Sequence, residues 1–534
     1  LIGSHSLDDG DTPPKAEQPV IDFEGLGVFF LGHSLDPKGA SAKREPFLYD
    51  SKDLTTHGLI VGMTGSGKTG LGVVLLEEAA LDGIPALVID PKGDMANMAL
   101  RFPMLRPSDF APWIDPAEAT RRGLAPESLA VQTAEEWAQG LAESGQGKKR
   151  LRALERAGDV EIYTPGSSSG RPIALLGSFD APGDDVLGDA DALRERVLNT
   201  TSGLLGLIGI DADPVTSREH VLIANILEAT WRSSGGTTLT ELLRSIQQPP
   251  FEQLGALDLE SFFPARERFA LATRLNHLLA SPAFAAWRDG APLDIGSMLY
   301  GPDGRPRHTV LSIAHLGDRE RMFFVTLFLN EVIAWMRGQD GTGSLRAMVY
   351  MDEIAGYFPP VASPPSKAPM LTLLKQARAF GLGVVLATQN PVDLDYKGLG
   401  NIGTWFLGRL QTARDRDRLL DGLTSAASGG DGAGTGLDRS RAEEVLGSLG
   451  KREFLSRNVH ENEPALFQTR WAMSYLRGPL SLPQVQSLAG SAREPESSTH
   501  PSAGTIDVPV ARPKVPVPVP ALERKASGSV IARP

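Results

Sequence analysis

Apolar positions in this chain follow two periods. Short runs in which nearly every residue is apolar, bounded by polar turn formers, read as strands covered on both faces. They lie at residues 28–31, 58–61, 85–90, 159–163, 309–314, 347–351, 383–389 and 405–410. Between them, apolar residues recur three and four apart, the spacing of a helix. Leu71, Val74, Leu75 and Ala79 keep that spacing until Gly83 stops the run. Val221, Ile223, Ala224, Ile226 and Leu227 keep it within a long helical region from 191 to 286. Residues 319–335 and 371–380 read as further helices. Strands alternating with helices require a parallel sheet with right-handed crossovers. The expected fold class is therefore α/β, with a mostly parallel sheet and a large α-rich insertion.

The pattern also divides the chain. Residues 1–20 are polar and rich in Pro, Asp and Gly, a composition of disorder. A short β segment is expected at 21–56, a first part of the core at 57–100, a mainly helical insertion at 101–300 and a second part of the core at 301–480. Within the last, residues 425–438 read as a Gly/Ala/Ser/Asp-rich loop, followed by a mixed element at 441–488. Ser, Pro and Ala dominate 481–534, and the alternation of Val and Pro at 513–520 reads as an extended, flexible tail.

Composition removes several alternatives. The 534 residues contain no cysteine, which excludes a disulfide framework and any Cys-based zinc site. The nine histidines are scattered without metal-ligand spacing. No run of eighteen apolar residues suggests a membrane span, and the first residues lack the pattern of a secretory signal, so a cytoplasmic address with no membrane partner is expected. A net charge of −12 argues against wholesale attraction to nucleic acid; a polyanion would have to meet local basic loops.

One stretch carries unambiguous chemistry. Gly62-Met63-Thr64-Gly65-Ser66-Gly67-Lys68-Thr69 fits G-x-x-x-x-G-K-[ST] at every fixed position, and it sits between a strand and a helix as that motif requires. Glycines let successive backbone N–H groups turn inward around a phosphate, and the helix N-terminus adds its positive end. Residues Thr64, Gly65, Ser66, Gly67, Lys68, Thr69 and Gly70 are the expected nucleotide cradle. Lys68 would reach the β- and γ-phosphates, and the Thr69 hydroxyl would bind Mg²⁺.

A phosphate loop of this kind needs carboxylates opposite it, one for the metal and one to take a proton from water. Asp352-Glu353 closes the apolar strand at 347–351, and we assign Asp352 to Mg²⁺ and Glu353 to the base. Asp90 also ends an apolar strand but lacks a paired Glu; a supporting role near the phosphates and a plain strand-end turn both fit it. Gln389 ends the next strand, where an amide could sense the γ-phosphate or orient water, with Thr388 and Asn390 as alternatives on the same edge and Asn390-Pro391 marking a turn. Arg378 and Arg409 are candidates for a phosphate-sensing arginine. Arg414, Arg416 and Arg418 alternate with Asp415 and Asp417, which reads as a self-paired surface.

Taken in order, the phosphate loop, Asp90-Pro91-Lys92-Gly93, Met351-Asp352-Glu353, Gln376-Ala377-Arg378-Ala379-Phe380-Gly381 and Leu386-Ala387-Thr388-Gln389-Asn390-Pro391 resemble the HerA–FtsK superfamily of ring ATPases. The nearer resemblance is to bacterial HerA-like ATP-binding proteins, whose type of tail appears as Arg470-Trp471-Ala472-Met473-Ser474-Tyr475-Leu476-Arg477-Gly478-Pro479. The likeness spans roughly residues 28–480. It implies a RecA-like core, a homo-hexameric ring with ATP and Mg²⁺ at subunit interfaces, and movement of double-stranded DNA through the pore, often with a nuclease or other effector. It also implies that Arg378 acts across the subunit boundary, with Arg409 second. Residues 21–56 leave little room for the N-terminal barrel of archaeal HerA, and the membrane segments of FtsK and secretion coupling proteins have no counterpart here. Candidate DNA-facing groups are Lys148-Lys149-Arg150 with Arg152, the loop around Lys367, and Lys451-Arg452; for the first, a solvated helix face is the competing reading. Two other functions share the same ATP motifs: a motor that moves protein in secretion or pilus assembly, and an ATPase that gates assembly with little translocation.

Overall fold

The computed structural model describes residues 25–35, 45–168, 170–175, 179–210, 212–287, 290–389, 394–412, 415–417, 419–420, 439–491, 523–524 and 530–531. The sequence expectations for residues 1–20, Asn390-Pro391, Arg414, Arg418 and the loop at 425–438 lie outside them.

Eleven strands form one sheet: β1 (Val28–Ser34), β2 (Pro46–Asp50), β3 (Gly58–Val61), β4 (Ala86–Asp90), β5 (Asp159–Tyr163), β6 (Arg307–Ser312), β7 (Ala347–Asp352), β8 (Leu382–Thr388), β9 (Thr404–Leu407), β10 (Glu453–Asn458) and β11 (Ala465–Thr469). Their order is β2-β1-β11-β10-β9-β3-β8-β7-β4-β6-β5. From β9 to β5 every pairing is parallel. From β9 to β2 every pairing is antiparallel. The core is the mostly parallel α/β sheet that the periodicity requires, and it has the RecA-like form that the resemblance implies.

Alternate residues of each central strand serve opposite cores, which is why these strands read as continuous apolar runs. Leu59, Val61, Leu87, Ile89, Val349 and Met351 join one core, with the helices α4 to α9 named below. Ile60, Val88, Met348, Tyr350 and Val385 join the other, under α1 (Lys68–Leu81). Gly72 is where α1 meets the sheet most closely: a Cβ there would lie 2.1 Å from the Tyr350 hydroxyl.

Two further helices, α2 (Pro126–Glu143) and α3 (Lys148–Arg156), lead back to edge strand β5. Helices α4 (Ala190–Leu207), α5 (Arg218–Ser234), α6 (Leu239–Gln247) and α7 (Ala265–Ala280) follow in the long stretch before β6. Of these, α4 packs directly on the long apolar helix α8 (Asp318–Arg337), with α9 (Lys367–Gln376) beside it, and α5, α6 and α7 stack outward from α4 in turn. Among the described residues no helix is long and apolar enough to cross a membrane.

Several boundaries move from the sequence expectation. The helix expected at 371–380 begins at Lys367 and becomes a 3₁₀ turn at Ala377–Phe380, because Gly381, at φ 71°, closes it. The strand expected at 405–410 ends at Leu407, which leaves Arg409 beyond it. The mixed element at 441–488 contributes two sheet strands, β10 and β11.

Two buried histidines tie the sheet to its surroundings. The His57 ring contacts the Leu374 carbonyl through Nε2 (3.1 Å) and accepts the Val384 N–H at Nδ1 (3.2 Å), which fixes the neutral tautomer. Burial, with a smaller push from Arg378, lowers its pKa from 6.5 to about 4. Burial, with Arg101, does the same to His308. Both folded values lie below the unfolded one, so the unfolded chain takes up more protons between those limits. The contribution to stability is complete above pH 6.5 and is lost as pH falls toward 4, by up to about 3 kcal/mol for each ring. The melting temperature should therefore drop between pH 7 and pH 5. His57→Gln should melt lower at pH 7 and show a flatter profile; an identical pH slope in this variant would refute the assignment.

Candidate nucleotide site

The residues 62–67 turn between β3 and α1, and neighbouring strands fix the turn. The Gly62 N–H donates to the Thr388 carbonyl (3.2 Å) and the Met63 N–H to the Arg409 carbonyl (2.9 Å). Gly65 and Gly67 sit at φ 81° and 101°, in the left-handed region that favours glycine. A Cβ on Gly67 would also press on the Arg452 backbone at 3.0 Å, and one on Gly62 would meet Ser66 Oγ at 2.4 Å. Helix α1 begins without a side-chain cap, which leaves its first N–H groups directed at whatever the loop holds.

Behind this turn, buried polar atoms lack the partners that such atoms normally have. Lys68 is 5% exposed, and its Nζ makes no hydrogen bond; it stands 3.6 Å from Asp352 Oδ1 and 3.9 Å from Glu353 Oε2. Burial pushes the Lys68 ammonium below its ordinary pKa, opposed by the Asp352 charge. Ser66 Oγ and Asp352 Oδ2 are likewise buried and unpaired. The other Asp352 oxygen accepts the Tyr350 hydroxyl at 3.3 Å. An ammonium, a hydroxyl and a carboxylate oxygen of the loop and the facing strand end are thus left unsatisfied, and phosphate oxygens and a divalent cation are groups that would complete them.

Glu353 is held more firmly. Its backbone has φ 81°, unusual for a residue with a Cβ, and its N–H donates to the Ala387 carbonyl (3.1 Å). Oε2 accepts from Lys92 Nζ (2.7 Å) and Gln389 Nε2 (2.9 Å). Oε1 accepts from Thr388 Oγ1 (3.3 Å) and the Gln389 N–H (3.4 Å). Burial raises the Glu353 carboxyl pKa, but the Lys92 hydrogen bond, the Lys68 and Lys92 charges and the Gln389 amide outweigh it and set the pKa below the ordinary value. Gln389 also accepts from Thr64 Oγ1 at 2.8 Å, so one amide joins the phosphate loop to the carboxylate.

Asp90 is a turn former. Oδ1 accepts the N–H groups of Lys92 (3.2 Å), Gly93 (2.7 Å) and Asp94 (3.2 Å), and Oδ2 that of Met95 (2.9 Å). Burial, then the neighbouring Asp352 charge, raise its pKa to about 7 despite those bonds.

The arginines separate. Arg409 is exposed beside its own phosphate loop. Arg378 is exposed in the turn just before β8, whereas Thr388 at the other end of that strand touches the phosphate loop. A seven-residue strand, roughly 23 Å long, lies between. Arg378 therefore cannot serve the site of its own chain.

One residue in each of the three groups expected to face DNA makes structural contacts. Arg150 is part-buried and pairs with Glu78 at 2.6 Å. Lys367 is buried, pairs with Asp395 at 2.7 Å and caps the carbonyls of Pro359, Pro360 and Ala362. Arg452 stacks over Trp471 (5.2 Å) and donates its N–H to the Ser66 carbonyl (2.8 Å). Local charge density along the sequence does not reveal such pairings. Sequence reasoning also gave no role to Lys92 or Arg470, whose partners are 261 and 393 residues away along the chain; the strand-end position of Lys92 was the available signal.

The fold and this loop define a P-loop NTPase with a RecA-like core. Residues 39–267 match the family model of the central domain of helicase HerA. The motif order above resembles that of the HerA–FtsK superfamily of P-loop ATPases, in agreement with this match. A stretch of 103 residues is 35% identical to the type 4 coupling protein DotL of Legionella pneumophila, covering 19% of this chain and 12% of that protein. The chain thus spans about an eighth of that relative's length. Similar solved structures include VirB4 of Thermoanaerobacter pseudethanolicus (TM-score 0.48, 13% identity, 85% of this chain and 99% of that one). Another is the bacterial conjugative coupling protein TrwBΔN70 (TM-score 0.45, 14% identity, 85% and 99%).

Proposed function

We propose that this chain is an ATP-hydrolysing ring motor of HerA type that acts on double-stranded DNA. The observation that carries the ATPase reading is the buried, unsatisfied Lys68 ammonium beside Asp352 and Glu353, with Ser66 Oγ and Asp352 Oδ2 also unpaired. Lys68 and the N–H groups of the loop bind the β- and γ-phosphates. Thr69 and Asp352 are the groups that would hold Mg²⁺, which when bound neutralises phosphate charge. Glu353 accepts a proton from water as the water oxygen bonds to the γ-phosphorus. The bond from that phosphorus to the β–γ bridging oxygen breaks, and ADP and inorganic phosphate leave. Gln389 joins Thr64 to Glu353 and so relates the state of the phosphate loop to the position of the base. The placement of Arg378 at the far end of β8 supports its action on a neighbouring subunit, and with it a hexamer.

The DNA reading rests on the family match and the motif order. The DotL similarity favours a second reading, a motor or gate in a secretion machine. A nuclease or other effector partner remains part of the first proposal only.

The deciding measurement is steady-state ATPase rate with and without linear duplex DNA. Stimulation by duplex, weakened by salt, supports the DNA motor; hydrolysis indifferent to DNA transfers the weight to secretion or assembly gating. Glu353→Gln should bind ATP with near wild-type affinity and turn over roughly 10²–10⁴-fold more slowly, the usual scale of a lost general base. Wild-type turnover in that variant would remove Glu353 from the base role.

A further inference from the structure

The phosphate site contains a second lysine. Lys92 Nζ stands 2.7 Å from Glu353 Oε2, the same oxygen that lies 3.9 Å from Lys68 Nζ. Two ammonium groups thus converge on one carboxylate oxygen, although a single one suffices to neutralise it. The Lys92 backbone is rigid, because Asp90 accepts the N–H groups of Lys92, Gly93 and Asp94 in one turn. Its side chain, by contrast, is 30% exposed and carries four rotatable methylenes.

The carboxylate of Glu353 is fully occupied in this state. Oε2 accepts from Lys92 and Gln389, and Oε1 from Thr388 and the Gln389 backbone. A water to be deprotonated needs one of those acceptor positions. Lys92 is the donor that can leave most readily, because Thr388 and Gln389 belong to the adjoining strand end while Lys92 reaches in from another loop.

We propose that Lys92 is a γ-phosphate ligand that, without a triphosphate, is parked on the general base. This inference rests on the ATPase reading above. When the loop holds a triphosphate, the Lys92 ammonium transfers from Glu353 Oε2 to a γ-phosphate oxygen. The transfer adds a cation where negative charge accumulates and frees one acceptor position on Glu353 for water. With a diphosphate that oxygen is missing, and Lys92 stays on Glu353. The residue thereby distinguishes the two nucleotides and withholds the base until a triphosphate is seated.

The test compares wild type, Lys92→Met and Lys92→Arg by equilibrium binding of a non-hydrolysable ATP analogue and of ADP, alongside steady-state turnover and thermal melting. Lys92→Met should weaken analogue binding about 10-fold, leave ADP binding within about 2-fold and lower kcat by about 10²-fold, with partial rescue by Lys92→Arg. If Lys92 only braced Glu353, analogue and ADP affinities would change together; an unaltered ratio of the two overturns the proposal. If the melting temperature of Lys92→Met falls sharply, the ratio still decides, since it is read on the folded fraction. Failure of wild type to bind or hydrolyse ATP would instead overturn the ATPase reading itself.

Discussion

Lys68→Ala should reduce ATP turnover by a factor on the order of 10³–10⁵, the range contributed by a single cation aimed at a transferring phosphoryl group. The reason lies in how the side chain is kept. Lys68 is 5% exposed, and no hydrogen bond occupies its ammonium. Asp352 and Glu353 offset part of the cost of burying that charge, at 3.6 and 3.9 Å, without reaching hydrogen-bond distance. Such a cation is poised for phosphate oxygens. The variant should also lose affinity for ATP and ADP together because the β-phosphate contact is lost. Single-turnover rates and binding curves check both statements. Turnover within 10-fold of wild type in a pure sample would mean that the loop is not the hydrolytic site.

Arg470→Ala should be the most destabilising single change, by about 3–5 kcal/mol, the cost of removing one partner of a buried ion pair. The Arg470 side chain is fully buried against the helix that carries Lys68. Its guanidinium donates to Glu77 Oε2 (2.8 Å), Glu78 Oε1 (2.6 Å) and the Trp471 carbonyl (2.9 Å), and through Nε to the Phe30 carbonyl (3.1 Å). Glu77 also accepts the N–H groups of Met473 (3.0 Å) and Ser474 (2.7 Å), and Glu78 that of Phe30 (2.9 Å). One arginine thus joins α1, strand β1 and the chain beyond β11. Truncating it leaves two buried carboxylates short of a counter-charge. Urea unfolding measures the loss. A double variant, Arg470→Met with Glu77→Gln, should recover part of it, since the residual charge is then smaller; a midpoint for Arg470→Ala equal to wild type would contradict this account.

For a motor, the position of this network matters as much as its strength. Lys68 stands at the N-terminus of α1, and Glu77 and Glu78 lie on its C-terminal half. The clamp therefore fixes the axis of the helix that presents the phosphate ligand. Arg150, whose neighbours in sequence are Lys148 and Lys149, adds a second cation to Glu78.

The features legible in the sequence are those that depend on neighbours along the chain. Nearly continuous apolar runs mark the central strands, because a strand buried on both faces must be apolar throughout. Gly62 to Thr69 announces the phosphate loop, because a tight left-handed turn before a helix tolerates few residues. The strand ends at Asp352 and Gln389 are legible for the same reason. What faces what is a property of the folded sheet. The parallel sheet places Glu353 beside Lys92, across 261 residues of chain, and Thr64 beside Gln389, across 325. It assigned Asp90 to its own turn, Arg378 to the far end of β8 and Lys367 to a loop cap. It brought β10 and β11 into the sheet from a stretch with mixed periodicity. Charged side chains carry no periodicity that names a partner. Their pairing is fixed by strand order, and strand order is set by packing across the whole sheet.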